Sequence, residues 1–212
     1  MIKRYAQSIG LTRLSFSKKN SGGFTLVELL IVLGIFALLT GVVLGNYRTY
    51  DSNALFANAS EDIVLALRQA QVYGAGAKEN SVVCTGGTKF ECSYGVYFSK
   101  VGTYANGITV FADNNSNRVY DIASDPIVTG TSVVWPANIS VTDLKCGGTD
   151  CSLDVASATF RRPNPDAFIA DVAVANSSLP SPYNLLTITL TDSKAAKTAI
   201  VKITRAGQIS IQ

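Results

Sequence analysis

The chain has 212 residues, 47% of them hydrophobic and 16% charged, with a formal net charge of +3 and no histidine. Without histidine there is no Ser-His-Asp or Cys-His arrangement and no pair of histidines for a helical metal site, and the sequence has no GxxxxGK[ST] phosphate loop. The composition therefore predicts a protein that is not an enzyme and has no resident cofactor.

The first predicted element is an apolar helix over residues 24–45, in which Glu28 is the one ionisable side chain. As a helix, these residues span about 30 Å, the thickness of a bilayer's hydrocarbon core. An acid inside lipid costs several kcal/mol unless it has a partner, which makes Glu28 a functional candidate. The alternative is an ordinary single-pass anchor with an incidental acid.

The run GlyGlyPheThrLeuValGluLeuLeuIleVal, from Gly22 to Val32, resembles the class III leader and cleavage site of type IV prepilins and type II secretion pseudopilins. In that family a membrane aspartyl peptidase cuts after the glycine and methylates the new N-terminus. The resemblance implies cleavage between Gly23 and Phe24, N-methylation of Phe24 and a role for Glu28 in assembly. It implies three kinds of partner: prepilin peptidase, other pilin or pseudopilin subunits, and an inner-membrane assembly platform.

Glu28 has a physical role in such a subunit. Cleavage gives Phe24 a charged amine, which the Glu28 carboxylate of a neighbouring subunit is expected to neutralise within the apolar helix bundle. A buried ion pair must first offset its desolvation, so it fixes register more than it adds stability. A subunit that is not cut is expected to stay in the membrane lipid.

Removal of residues 1–23 as a cytoplasmic leader changes the charge balance. The leader holds five of the 18 bases and none of the 15 acids, so the mature chain keeps 13 bases and has a net charge of −2. Lys18 and Lys19 flank the span, and basic flanks face the cytoplasm. The sequence predicts a single-pass inner-membrane protein with its C-terminal head outside the cytoplasm, later part of a periplasmic or extracellular filament.

The four cysteines form two local pairs, Cys84 with Cys92 and Cys146 with Cys151, each enclosing a Gly-rich loop. Four cysteines allow three pairings. The local pairing is favoured because a turn separates each pair. A zinc site is the competing interpretation, but these spacings fit zinc ligands poorly, and disulfides are usual outside the cytoplasm.

Residues 46–76 are predicted to continue the helix with an amphipathic segment. Small or apolar residues recur at three- and four-residue steps, and Gly74 and Gly76 are expected to end the helix. The recurring positions are Phe56, Ala59, Ile63, Ala66, Leu67 and Ala70.

The remaining segment, 77–212, is predicted to form an antiparallel β-rich head. Its Val-, Ile-, Thr-, Tyr- and Phe-rich runs are separated by Gly, Asn, Asp and Pro. The fold class is therefore α+β and pilin-like, with a long N-terminal helix packed on an antiparallel sheet or β-sandwich-like head. The predicted strands are 81–84, 94–99, 108–111, 127–135, 139–142, 158–161, 168–174, 185–191, 198–204 and 208–211.

Three stretches, 59–75, 111–121 and 202–211, resemble the H-type minor pseudopilin and FimT-type minor pilin branch. They correspond to the end of a helix, an Asp/Asn-rich hairpin loop and a C-terminal hairpin around a glycine. The resemblance implies a low-abundance structural subunit that helps to initiate or cap a filament.

The Asp/Asn-rich loop places Asp113, Asn115 and Asn117 at positions one, three and five of a calcium-loop pattern, and Asp121 follows. Two positions depart from that pattern: Arg118 stands where the loop needs Gly, and Ser124 where it needs Glu. Asx-rich turns also form without metal, so calcium is a secondary hypothesis beside no cofactor.

Capture of DNA for uptake is the alternative function, because some FimT-type minor pilins resemble this chain. DNA binding needs a basic surface facing the phosphates, and the acidic mature balance disfavours it here. The candidate residues are Arg161, Arg162, Lys194, Lys197, Lys202 and Arg205.

Overall fold

A computed structural model describes residues 22–76, 78–81, 83–85, 87–174 and 181–212. Residues 1–21 of the predicted leader, with Lys18 and Lys19, lie outside the described residues. The chain divides into two compact units, Met1–Asn46 and Tyr47–Gln212.

Helix α1 spans Leu26–Ala75 and supplies the regular structure described in the first unit. Every described side chain from Gly22 to Gly45 is exposed. By length and composition, α1 is the one helix among the described residues that could cross a membrane. A continuous apolar surface of this kind needs lipid or other apolar helices to cover it.

In the second unit, α1 buries the face that its periodicity predicts. Small and apolar side chains on that face lie in the core, while Glu61 and Arg68 on the other side are exposed. The helical period of the sequence thus correctly predicts which side of α1 meets the head. The buried side chains are those of Phe56, Ala59, Ile63, Ala66, Leu67 and Ala70.

The predicted role of Gly74 in ending the helix is wrong. Gly74 lies inside α1, which continues to Ala75. A Cβ atom at Gly74 would lie 2.4 Å from the carbonyl oxygen of Phe160. Gly74 therefore allows the last turn of α1 to approach the backbone of a strand, and Gly76 is the glycine that follows the helix end.

The first antiparallel sheet follows the helix in the second unit. Its strands are β1 (Ser93–Ser99), β2 (Gly107–Asp113), β3 (Val133–Val134), β6 (Val155–Arg161) and β7 (Asn164–Ala170). They are ordered β3-β2-β1-β6-β7 across the sheet. In β1, Val96 pairs with Val110 on one side and Ala158 on the other.

The second antiparallel sheet holds β4 (Ile139–Cys146), β5 (Thr149–Asp150), β8 (Leu185–Asp192), β9 (Lys197–Thr204) and β10 (Ile209–Ile211). Its order is β10-β9-β8-β4-β5. The side chains of β8 alternate between buried and half-buried, as expected for a strand with one face on the core. Together with α1, the two sheets confirm the α+β, pilin-like fold class.

Three predicted strands differ from the structure, and sequence analysis missed β5. The described residues of 81–84 form no strand, and 127–135 contributes only β3 and a bridge from Ile127 to Phe111. Gly130, with φ of +79°, turns the chain between them. The strand predicted at 168–174 ends at Ala170 because the carboxylate of Asp171 accepts the N–H of Ala173 and starts a 3-10 turn.

One hydrophobic core joins α1 to both sheets within the second unit. It includes Leu67 from the helix, Phe98 and Phe160 from the first sheet, and Leu144 and Ile188 from the second, all at most 1% exposed. Burial of each such side chain stabilises the fold by about 1.5–3 kcal/mol before entropy is counted.

Candidate functional site

Thr25 begins α1 and fixes the position of Glu28. The Thr25 hydroxyl accepts a hydrogen bond from the backbone N–H of Glu28 at 3.2 Å, and the Thr25 carbonyl accepts one from Leu29 at 3.1 Å. Thr25 is therefore the N-cap and Glu28 the third helical residue, the spacing of a capping box. Sequence analysis missed this capping role, although the Thr-x-x-Glu pattern carries it.

Glu28 lies in the first turn of α1 with its side chain exposed. The partial positive charge of a helix N-terminus favours a carboxylate at this position. Among the described residues, no ion pair is recorded for Glu28. Within the described part of the chain, nothing pairs with this carboxylate that would prevent it from meeting a group of another subunit.

The predicted cleavage site also lies in the exposed segment before α1. Gly22, Gly23 and Phe24 have no helical or strand structure, and Phe24 is 81% exposed. Apart from the adjacent residues, no atom of the described chain lies within 4 Å of a Cβ placed on either glycine. Cleavage here, methylation of Phe24 and the assembly role of Glu28 remain predictions.

The structure joins the cysteines as two local disulfides, Cys84–Cys92 and Cys146–Cys151. All four residues are buried. The second bridge closes the hairpin between β4 and β5, where Cys146 pairs with Thr149. This is the pairing that the sequence favours.

The Asp/Asn-rich loop closes on itself. The amide nitrogens of Asn115 and Asn117 both donate to Asp121 Oδ2, at 2.8 and 2.5 Å. The oxygens of the two amides accept backbone N–H groups of Asn117 and Val119. Within the described part of the chain, no group of three or more His, Cys, Asp or Glu residues is arranged for a metal. The loop geometry matches Asx turns, and calcium binding remains a sequence prediction.

Two acids lie buried beneath this loop. Asp113 is 0% exposed and accepts the N–H of Arg118 at 3.1 Å through Oδ2, while its Oδ1 has no partner among the described residues. Burial and, to a smaller extent, the charge of Asp125 raise the pKa of Asp113 from 3.8 to about 6. Burial also raises the pKa of Asp125. The fold thus places two carboxyls where ionisation is unfavourable.

A pocket of about 550 Å³ lies at the ends of β6 and β7, with four arginines on its wall. Arg161 ends β6, Arg162 follows it, and Arg205 follows β9. The backbone positions Arg205 there because its carbonyl accepts the N–H of Ala167, in β7, at 2.8 Å. Among the described residues, the lining is Ser93, Arg118, Thr159, Arg161, Arg162, Asp166, Ala167, Phe168, Ser181 and Arg205.

Arg118 comes to this pocket from the Asp/Asn-rich loop, and sequence analysis missed it. Its guanidinium carbon lies 4.0 Å from the centre of the Phe168 ring. Burial lowers the pKa of Arg118, the charge of Asp113 opposes that change, and the charge of Arg161 adds to it. No local sequence signal indicates this placement, because the loop and the two strands meet only in the fold.

The six basic residues considered for DNA binding do not all line the pocket in the described structure. Arg161, Arg162 and Arg205 line the pocket, whereas Lys194, Lys197 and Lys202 do not. Lys197 begins β9, and the Lys202 amine within that strand donates to the Gln212 side chain at 2.7 Å. Of these six residues, the described pocket lining thus holds the three arginines and none of the lysines.

Residues 18–44 match a family described as the prokaryotic N-terminal methylation motif. No curated protein and no solved structure matches the chain. The matched segment covers the predicted cleavage site, Glu28 and the exposed apolar part of α1. The motif implies processing by prepilin peptidase and assembly with other pilin subunits, and the family that carries it is structural rather than enzymatic. The motif, carried by a pilin-like α+β chain, supports the type IV pilin and pseudopilin superfamily.

Proposed function

We propose that this chain is a minor structural subunit of a type II secretion pseudopilus or a type IV pilus. Prepilin peptidase removes residues 1–23 and methylates Phe24. The observation that carries the proposal is the methylation motif at residues 18–44, which coincides with an apolar helical surface that the chain itself leaves exposed. Lipid covers that surface before assembly, and the helices of other subunits cover it in the filament.

The topology follows from the same segment. The basic residues before the span hold the leader in the cytoplasm, and the head lies on the other side of the inner membrane. Two buried disulfides agree with folding in an oxidising compartment. The inner-membrane assembly platform then moves the subunit into a periplasmic or extracellular filament.

Glu28 is the assembly residue in this proposal. Its exposed position in the first turn of α1 leaves the carboxylate available to the N-terminal amine of an adjacent subunit. Inside an apolar bundle, two opposite charges attract strongly but cost desolvation, so their pairing selects one register.

Within the superfamily, we assign the chain to the H-type minor pseudopilin and FimT-type minor pilin branch, with a role at filament initiation or the tip. Support comes from the helix end at 59–75, the Asp/Asn-rich loop that follows β2, and the C-terminal hairpin of β9 and β10.

Incorporation into filaments tests this function. An epitope-tagged chain is expressed with the pilus or secretion genes of its own host, and sheared filaments are probed for the tag. The wild-type chain is expected in the filament fraction at low abundance. Gly23→Leu, which blocks the cut, is expected to leave all tagged protein in the membrane. Equal recovery of Gly23→Leu in filaments would contradict the proposal.

A further inference from the structure

We propose that the arginine-lined pocket of the head binds a compact phosphorylated molecule, through the guanidinium groups of Arg118, Arg161, Arg162 and Arg205. This inference goes beyond the filament role and does not depend on it. It rests on the convergence of four arginines in one cavity of about 550 Å³.

The charge of the lining points to an anion. Four arginines face one acid of the pocket wall, Asp166, which leaves three positive charges. Arg162 lies 3.9 Å from the exposed Glu91, a long and solvent-screened pair. For Arg161 and Arg205, no side-chain ion pair is recorded within the described ranges. The excess of positive charge in the pocket favours the binding of an anion.

Arg118 is half-buried, and burial lowers its pKa. The charge of Asp113 raises that pKa, and the charge of Arg161 lowers it by a smaller amount. The guanidinium carbon of Arg118 lies 4.0 Å from the centre of the Phe168 ring, a cation–π contact. Phe168 is 4% exposed and packs in a small cluster with Val119 and Ala170, so Arg118 is a pre-positioned donor rather than a mobile surface side chain.

The chemistry of the donors favours phosphate over a single carboxylate. A guanidinium presents its N–H groups as a planar fork that binds phosphate oxygens two at a time. A phosphate monoester carries a charge of about −1.5 to −2 and three acceptor oxygens. One such group, or a diphosphate, matches an excess of three positive charges better than one carboxylate does. Ser93 and Thr159 add hydroxyl-bearing side chains to the lining.

The shape favours a small molecule over a nucleic acid strand. A cavity of this volume falls in the range of small-ligand pockets, about 300–1,000 Å³. Binding along a DNA backbone needs a basic stripe that follows successive phosphates. In the described structure the pocket lining includes none of the three lysine candidates.

Calorimetric titration of the full chain in non-ionic detergent, with pyrophosphate as the probe, tests the proposal. The pocket variants are Arg161→Gln and Arg205→Gln, both exposed side chains whose replacement spares the core. The matched controls are Lys194→Gln and Lys197→Gln, which remove the same charge outside the pocket. A single-stranded oligonucleotide is titrated in parallel, with and without pyrophosphate.

Saturable binding of pyrophosphate is expected, weakened about tenfold by each pocket variant because one charged, forked hydrogen-bonding group is lost. The lysine controls are expected to keep wild-type affinity. The proposal is overturned by a lack of saturation, by equal weakening in pocket and control variants, or by arginine-dependent binding of the oligonucleotide that pyrophosphate does not displace.

Discussion

The hydroxyl of Thr25 accepts the backbone N–H of Glu28 at 3.2 Å, so the acid of the apolar segment is also part of a helix cap. Glu28 therefore has two roles, one in the cap at the start of α1 and one as a charged partner for a neighbouring subunit. A substitution that keeps the capping role and removes the charge distinguishes the two.

Glu28→Gln is that substitution. Glutamine serves in a capping box as glutamate does, but it cannot neutralise the N-terminal amine of a neighbour. We expect Glu28→Gln to be cleaved normally and to be lost from sheared filaments, as measured by immunoblot of both fractions. Thr25→Ser, which keeps the capping hydroxyl, is the control and should assemble. Normal assembly of Glu28→Gln would exclude the charge-based role.

Gly74→Ala tests the contact between α1 and β6. The added methyl group would lie 2.4 Å from the Phe160 carbonyl oxygen, so helix and strand must move apart. We expect a loss of stability of about 1–3 kcal/mol. The chain has a single tryptophan, Trp135, which is buried and donates to Asp62 at 3.2 Å, so its fluorescence reports urea unfolding of the head.

Glu61→Ala is the control for this measurement, because Glu61 is exposed on the same helix. Its stability should stay within about 0.5 kcal/mol of wild type. A Gly74→Ala protein as stable as Glu61→Ala would show that the backbone contact does not constrain the helix.

Two buried serines should respond in opposite ways to the same substitution. Ser181 Oγ accepts the N–H of Ile169 at 3.1 Å and donates to its carbonyl at 2.8 Å, whereas Ser157 Oγ has no partner among the described residues. We expect Ser181→Ala to cost about 1–3 kcal/mol, since it leaves a buried N–H unpaired. Ser157→Ala should be neutral or stabilising. Equal losses in urea unfolding would contradict this assignment.

The buried acids give the head a defined pH dependence. The pKa of Asp113 is raised from 3.8 to about 6, so the native state binds the proton more tightly than the unfolded state. The contribution of Asp113 to stability is therefore greatest below pH 3.8 and is lost as the pH rises through 6. We expect Asp113→Asn to be more stable than wild type at pH 7 by up to about 3 kcal/mol.

The pKa of Asp192 is shifted in the opposite direction to that of Asp113. Hydrogen bonds from Asn138, Lys194, Ala195 and Ser52 lower its pKa, so its contribution is present above pH 3.8 and is lost as the pH falls. Asp192→Asn should destabilise the head at pH 7. Thermal unfolding of both variants between about pH 2 and pH 7 measures the two effects, and slopes of the same sign would show that one assignment is wrong.

The sequence predicts best what depends on neighbouring residues. The buried face of α1 follows from spacings of three and four residues, and the methylation motif is a contiguous run. The local disulfides are favoured for the same reason. β8 and β9 are found almost to the residue because β-branched and apolar side chains predominate along them.

The features that sequence analysis missed depend on contacts between distant residues. In the sequence alone, Gly74 indicates a helix end, whereas in the fold it lies against the backbone of Phe160. Arg118 looks like a loop residue until the ends of β6 and β9 bring Arg161 and Arg205 to the same cavity. The order of strands in the two sheets is equally non-local, since no residue pattern states that β1 lies between β2 and β6.

The central claim is that the chain is a prepilin-type subunit cut before Phe24. Intact-mass measurement of the membrane-extracted protein, from cells with and without prepilin peptidase, tests it most directly. With the peptidase, the mass should fall by that of residues 1–23 and rise by one methyl group, and the N-terminal peptide should begin with methylated Phe24. Without the peptidase, the precursor mass should remain. The same mass in both strains, or a cut elsewhere, would contradict the account.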